Sequence, residues 1–184
     1  SESEKIREYS EKVEGAGMDL LQMVNEVLDM SKIEQGKLEL SAEPYCTAAL
    51  VNDLKLIGEA FAAKKGLSFA ANACAGLPEG LEGDFLKIKQ IGANFLSNAA
   101  KYTDDGEITL SVSYENGRLE IAVSDTGSGI GEGELSLLFK PFSRARFAIV
   151  GQTEGSGLGL SISKAFADLM GGKITVESVP GKGS

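Results

Sequence analysis

The chain contains no histidine, so imidazole cannot serve within it as a general acid or base or as a metal ligand. Cysteine is nearly absent too. Cys46 and Cys74 have no metal-ligand spacing, and we expect two small buried hydrophobes in a reducing compartment. No run of about 18 apolar residues occurs, so no segment reads as a membrane-spanning helix. The N-terminal residues lack the charged-then-apolar pattern of a secretory signal. Basic charge is scarce as well: 18 Lys and Arg stand against 27 Asp and Glu, a net charge of −9. Without a basic stripe, nucleic acid and anionic membrane surfaces are poor partners.

Hydrophobic residues make up 42% and charged residues 24% of 184 positions, enough for a real core in one domain plus an appendage. The charge is uneven: residues 1–44 hold 11 acidic and 5 basic side chains, residues 45–184 hold 16 and 13. We divide the chain into 1–40 and 41–184, between the helix-ending Gln35-Gly36-Lys37 and Glu43-Pro44, which marks the entry to a new unit. Residues 3 to about 33 predict one long helix with apolar residues Met18, Leu21, Val24 and Leu28 at helical spacing, ended by Gln35-Gly36-Lys37. Helices and strands alternate after Glu43-Pro44. The pattern predicts helices at 47–64, 84–102 and 158–170, with a short one near 133–139. Strands are predicted at 67–71 and 173–178, and a hairpin at 107–114 and 118–125 turns at Glu115-Asn116-Gly117. Phe85, Ile88, Ile91, Phe95 and Ala99 are expected inward on the second of these helices; Leu158, Ile162, Phe166 and Leu169 on the last. The layout is α+β: a sheet with helices on one face, preceded by a long helix.

Three motifs carry chemistry. Asn94, Asn98 and Lys101 fall at i, i+4 and i+7, along one edge of the 84–102 helix. Carboxamide oxygens beside an ammonium suit Mg²⁺ with a triphosphate, since Mg²⁺ takes few protein oxygens and leaves the rest to water and phosphate. Tyr102 offers an aromatic face for a base. The same stripe also fits a solvated polar face. Asp125-Thr126-Gly127-Ser128-Gly129-Ile130-Gly131 follows a predicted strand. Asp125 can accept from the exocyclic amine of adenine, and Gly127 and Gly129 let backbone come close; a capped glycine turn is the alternative. Gly155-Ser156-Gly157-Leu158-Gly159-Leu160 opens the last helix, where free N–H groups make an anion site. Neither glycine box has the spacing of a P-loop or a dinucleotide fingerprint.

In this order the motifs resemble those of the histidine kinase nucleotide-binding domain, in the group that includes gyrase-type topoisomerases and heat-shock protein 90 chaperones. Gln90–Thr103 resembles the asparagine box, Asp125–Gly131 and Gly155–Leu160 the two glycine boxes, and Leu138–Arg144 the phenylalanine box. The segment Gly171–Gly183 is similar to the closing part of that domain. Val24–Leu40 resembles the end of the second dimerisation helix and its exit. The phenylalanine box and that exit segment point to kinases within the group.

The resemblance implies a two-layer, Bergerat-type α/β sandwich binding ATP and Mg²⁺. Asn98 would hold Mg²⁺ with Asn94 assisting, Lys101 would meet phosphate, Tyr102 would pack on adenine and Asp125 would read its amine. Gly127, Gly129, Gly155, Gly157, Leu158 and Gly159 would line the nucleotide. Residues 143–154 would form a mobile lid, with Arg144 and Arg146 as candidates for the γ-phosphate. Residues 1–40 would be the last helix of a dimerisation domain. The implied partners are the histidine-bearing part of the parent protein, a response-regulator receiver domain and, in the intact protein, a second copy; the location would be cytoplasmic. Three departures stand out: no histidine box precedes the long helix, the sequence ends where a further strand usually follows, and Gly92 replaces a large apolar residue at roughly 1 kcal/mol of helix propensity. The competing readings are a serine kinase of anti-sigma-factor type and a degenerate kinase serving as a nucleotide-binding regulatory module.

Overall fold

The computed structural model of the chain describes residues 2–142 and 156–184. A long helix, α1 (Glu2–Glu34), leads into β1 (Glu43–Cys46) and α2 (Thr47–Lys65). Two strands follow, β2 (Ser68–Ala73) and β3 (Gly80–Gly83), then α3 (Phe85–Tyr102) and a hairpin of β4 (Glu107–Glu115) and β5 (Arg118–Asp125). Short α4 (Glu132–Leu135) and α5 (Gly159–Leu169) complete the described elements. The sheet order is β2-β4-β5, parallel between β2 and β4 and antiparallel between β4 and β5. This is the mixed sheet and α+β class expected.

Local chemistry explains where the elements stop and start. Gly36 at φ +63° ends α1, and its N–H reaches the Ile33 carbonyl at 3.0 Å. Gly66 at φ +72° ends α2 in the same way. Asp84 caps α3: one carboxylate oxygen accepts the Lys87 N–H at 3.0 Å, and the other accepts the Ser41 N–H at 3.1 Å. That second bond ties the segment after α1 to the start of α3. The hairpin turns through Asn116 and Gly117, both at positive φ, as a two-residue turn matching the strand twist requires.

The main core lies between the sheet and the helices on its one face. Leu50 and Leu54 of α2, Leu96 and Ala99 of α3, and Ile108, Leu110 and Val112 of β4 are all buried in it. Leu119, Ile121 and Val123 of β5 pack against the same cluster. A second cluster joins Leu158, Ile162 and Phe166 of α5 to Ile91 of α3 and to Met30, Ile33 and Leu38. Helix α3 is thus packed on two sides, and Ile91, expected in the main core, faces the second. Gly92 now has a reason: a Cβ there would sit 2.6 Å from Leu54, so the glycine lets α2 and α3 approach.

Several expectations are corrected. Cys46 and Cys74 are exposed, because one ends the two-stranded β1–β3 ribbon and the other follows the sheet's edge strand β2. Leu169 is about half exposed, at the last turn of α5. Residues 173–178 alternate in burial as a strand would but form no ladder among the described residues; a bridge joins Val179 to Gly183. An alternating pattern says which side chains turn inward, and a strand needs neighbouring backbone within reach as well. The pairing of β1 with β3 was not anticipated, since Pro44 and the glycines at 80 and 83 mask both as loop. Among the described residues no helix is long and apolar enough to cross a membrane.

Candidate functional site

Three chain segments converge on α3. The first is the turn after β5. The Gly127 N–H bonds back to the Asp125 carboxylate at 2.9 Å, and the Ser128 N–H reaches the Tyr102 carbonyl at 3.1 Å. Gly127 lies so close to the end of α3 that a Cβ would fall 2.2 Å from the Tyr102 carbonyl oxygen and 2.8 Å from Thr103 Oγ1. Only a residue without a side chain fits there. Gly129, at φ +64°, is similarly pressed against the Val179 carbonyl.

The second segment is the start of α5. A Cβ on Gly159 would lie 2.6 Å from Asn94 Oδ1, so the helix opens directly against the asparagine stripe. The Asn94 amide donates to Ser163 Oγ at 2.9 Å, and its oxygen accepts from the Asn98 amide at 3.2 Å. Asn94 is therefore engaged at both ends, holding α5 to α3 and orienting Asn98. Among the described residues the Asn98 carboxamide oxygen has no partner. Just ahead of α5 the Ser156 hydroxyl accepts the Leu158 N–H at 3.1 Å, while Gly157 adopts φ +75°.

The third segment runs from Ser178 to Ser184. Ser178 Oγ accepts the Ile130 N–H at 2.8 Å and donates to the Gly183 carbonyl at 2.9 Å. The Asp125 N–H reaches the Ser184 carbonyl at 2.9 Å. An open depression adjoining Asp125 here includes Lys182 and Ser184 but none of the α3 residues.

Of the residues singled out from sequence, Asn94, Asn98, Lys101 and Tyr102 share one stretch of α3. Asp125, Gly127 and Gly129 flank its C-terminal end, and Gly157, Leu158 and Gly159 stand beside Asn94. Leu158 is fully buried and belongs to the second core cluster, so its side chain is a packing group and only its backbone faces the helix end. Arg144, Arg146, Gly155 and the expected lid lie outside the described residues.

Other groups were not anticipated. The Thr103 hydroxyl is fully buried beside Gly127 with no hydrogen-bond partner among the described residues, as is the Thr47 hydroxyl at the start of α2. Lys65 donates to the Lys101 and Thr103 carbonyls, each at 3.0 Å, placing a cation at the C-terminal end of α3. Ser163 is buried on α5, as is Ser161, and a serine among the apolar residues of that helix was the signal for its bond to Asn94. The reach of Lys65 across 36 residues left none.

Comparison with known proteins adds to this geometry. The sequence family described as "Histidine kinase-, DNA gyrase B-, and HSP90-like ATPase" matches residues 83–184. The sensor protein GacS of Pseudomonas syringae pv. syringae is 38% identical over 182 residues, which cover 96% of this chain and 20% of that protein. The signal transduction histidine-protein kinase BarA of Escherichia coli K12 is 34% identical, with 97% and 20% covered. Full-length ShkA in complex with AMPPNP superposes with a TM-score of 0.80 at 31% identity, covering 96% of this chain and 36% of that one. The chain thus spans about a fifth of the length of these curated relatives.

Proposed function

Because this chain belongs to the histidine kinase-, DNA gyrase B- and HSP90-like ATPases, we propose that it is the ATP-binding catalytic part of a two-component sensor histidine kinase. Its task is to present ATP so that a histidine outside this chain attacks the γ-phosphorus in line, after which the phosphoryl group passes to an aspartate of a receiver domain. In this reading residues 1–40 are the last helix of a dimerisation domain and 41–184 the catalytic domain. The intact protein is a homodimer working on the cytoplasmic side.

The observation that carries this reading is the seating of both glycine boxes on the asparagine helix, Gly159 against Asn94 and Gly127 against Tyr102 and Thr103. Each glycine permits a close contact that a Cβ would prevent. Asp125 reads the adenine amine beside this contact, and Tyr102 lies along the base. Lys101 meets phosphate, with Arg144 and the backbone of Gly155, Gly157 and Leu158 as further phosphate-binding groups. Asn98 supplies a hard carboxamide oxygen, the type of donor Mg²⁺ prefers, and Asn94 orients it. When bound, Mg²⁺ spreads the phosphate charge.

Calorimetry with ADP and a non-hydrolysable ATP analogue in the presence of Mg²⁺ tests the site. Asp125→Asn should weaken both ligands, and Asn98→Ala should weaken the analogue chiefly when Mg²⁺ is present. Equal affinities for all three proteins would sink the assignment. The chain has no histidine, so labelled ATP should leave it unlabelled, and a histidine-bearing helical hairpin of its parent, when added, should itself take the label.

A further inference from the structure

The last third of α1 is docked on α3 and α5. Met30, Ile33 and Leu38 pack on Leu158, Ile162 and Phe166. Asp29 stands 3.6 Å from the Lys87 ammonium and accepts from the Gln90 amide at 3.4 Å, while Lys87 lies 4.3 Å from the centre of the Phe166 ring. One turn earlier, the half-buried Glu26 carboxylate accepts the hydroxyl proton of Ser156. The same hydroxyl oxygen accepts the Leu158 N–H at 3.1 Å. Glu26 is thus tied through one side chain to the end of α5 that carries the helix's unpaired N–H groups and positive partial charge.

We infer that docking of α1 and binding of nucleotide phosphates are antagonistic, with Glu26 and Ser156 as the contact that couples them. This rests on the reading above, in which phosphates are held at the start of α5. A carboxylate and a phosphate seek the same positive helix end, and they repel each other. Ser156 has one hydroxyl proton and spends it on Glu26, and the Leu158 N–H is already taken. The docked arrangement is accordingly a state of lowered nucleotide affinity. By linkage, phosphates loosen the dock by the factor with which the dock weakens them. Glu26 acts through Ser156 and through charge, as a positioning residue.

The test uses the full chain with a non-hydrolysable ATP analogue, ADP and adenosine, in three forms: unsubstituted, Glu26→Gln and Asp29→Asn. Glutamine keeps an acceptor for Ser156 and removes the charge. Asp29→Asn loosens the dock without approaching Ser156. Both substitutions should tighten the triphosphate, Glu26→Gln by roughly fivefold, the size expected of one charge within a Debye length of a polyanion. Both should leave adenosine unchanged. In the unsubstituted chain the triphosphate should speed amide exchange over residues 27–34. Tightening by Glu26→Gln alone reduces the effect to local repulsion and overturns the coupling. Equal affinities of all three forms, with binding measurable, overturn it too. If none of the forms binds any nucleotide, the reading of the site itself falls, and the coupling with it.

Discussion

Replacing Gly127 with alanine isolates the requirement for close approach, because the φ of this glycine lies outside the positive region and alanine meets no backbone strain there. What it meets is the Tyr102 carbonyl oxygen at 2.2 Å and Thr103 Oγ1 at 2.8 Å. A methyl carbon needs more than 3 Å from such an oxygen, so turn and helix must part by about 1 Å, and neither partner is a flexible side-chain end. Crowding of this kind costs about 1–3 kcal/mol. The shift also severs the 3.1 Å bond from the Ser128 N–H to Tyr102, about another 1 kcal/mol. A loss of roughly 2–4 kcal/mol is a large part of the stability of an ordinary domain. With a urea dependence of about 2 kcal/mol per molar, the midpoint should fall by about 1–2 M. Far-UV circular dichroism during urea titration measures this, and calorimetry on the folded variant should find ADP weakened by at least about tenfold, because the Asp125–Gly127 turn moves with the backbone. A variant that keeps its midpoint within about 0.3 M and binds ADP normally would refute the claim that contact with α3 dictates this glycine.

Three further outcomes separate packing from site. Asp84→Ala removes the acceptor for both the Lys87 and Ser41 N–H groups and should cost about 2–3 kcal/mol in urea titration; a loss below about 0.5 kcal/mol would mean water replaces the carboxylate at no penalty. Gly92→Ala gains about 1 kcal/mol of helix propensity but drives a methyl to 2.6 Å from the fully buried Leu54. A net loss of about 1–2 kcal/mol is expected, and a higher midpoint would contradict the packing explanation. Ser163→Ala frees the Asn94 amide and should lower affinity for the Mg²⁺–triphosphate about fivefold with adenosine unaffected, a split that a general loss of folding would not produce.

Much of this was legible in the sequence, and the reason differs by element. The hairpin was readable because its information is local: period-two alternation in Glu107–Tyr114 and Arg118–Asp125, with Asn116-Gly117 between, sets face, turn and register together. Helices α2 and α5 were readable from periodicity. The β1–β3 ribbon was not, because four-residue strands containing proline and glycine carry no pattern, and their pairing is decided by Thr47 and Asp84 anchoring the neighbouring helices. The wrong placement of the cysteines has the same origin: burial on an edge strand depends on what lies across from it, which composition cannot state.

The asparagine stripe shows a finer limit. Spacing of i and i+4 put Asn94 and Asn98 on one edge of a helix, which does not say how either carboxamide is turned. The fold adds Ser163, 69 residues away, as an acceptor for Asn94. Once its amide is spent on Ser163, only the Asn94 oxygen is left to accept from Asn98, and the amide of Asn98 turns toward it. The Asn98 oxygen then points away from Asn94 and accepts no hydrogen bond among the described residues. Asn94 is thereby a device that orients Asn98, beside the assisting role that the resemblance gives it. Gly159 belongs to the same device, since any larger residue would push α5 off Asn94 and unseat the chain of bonds at its origin.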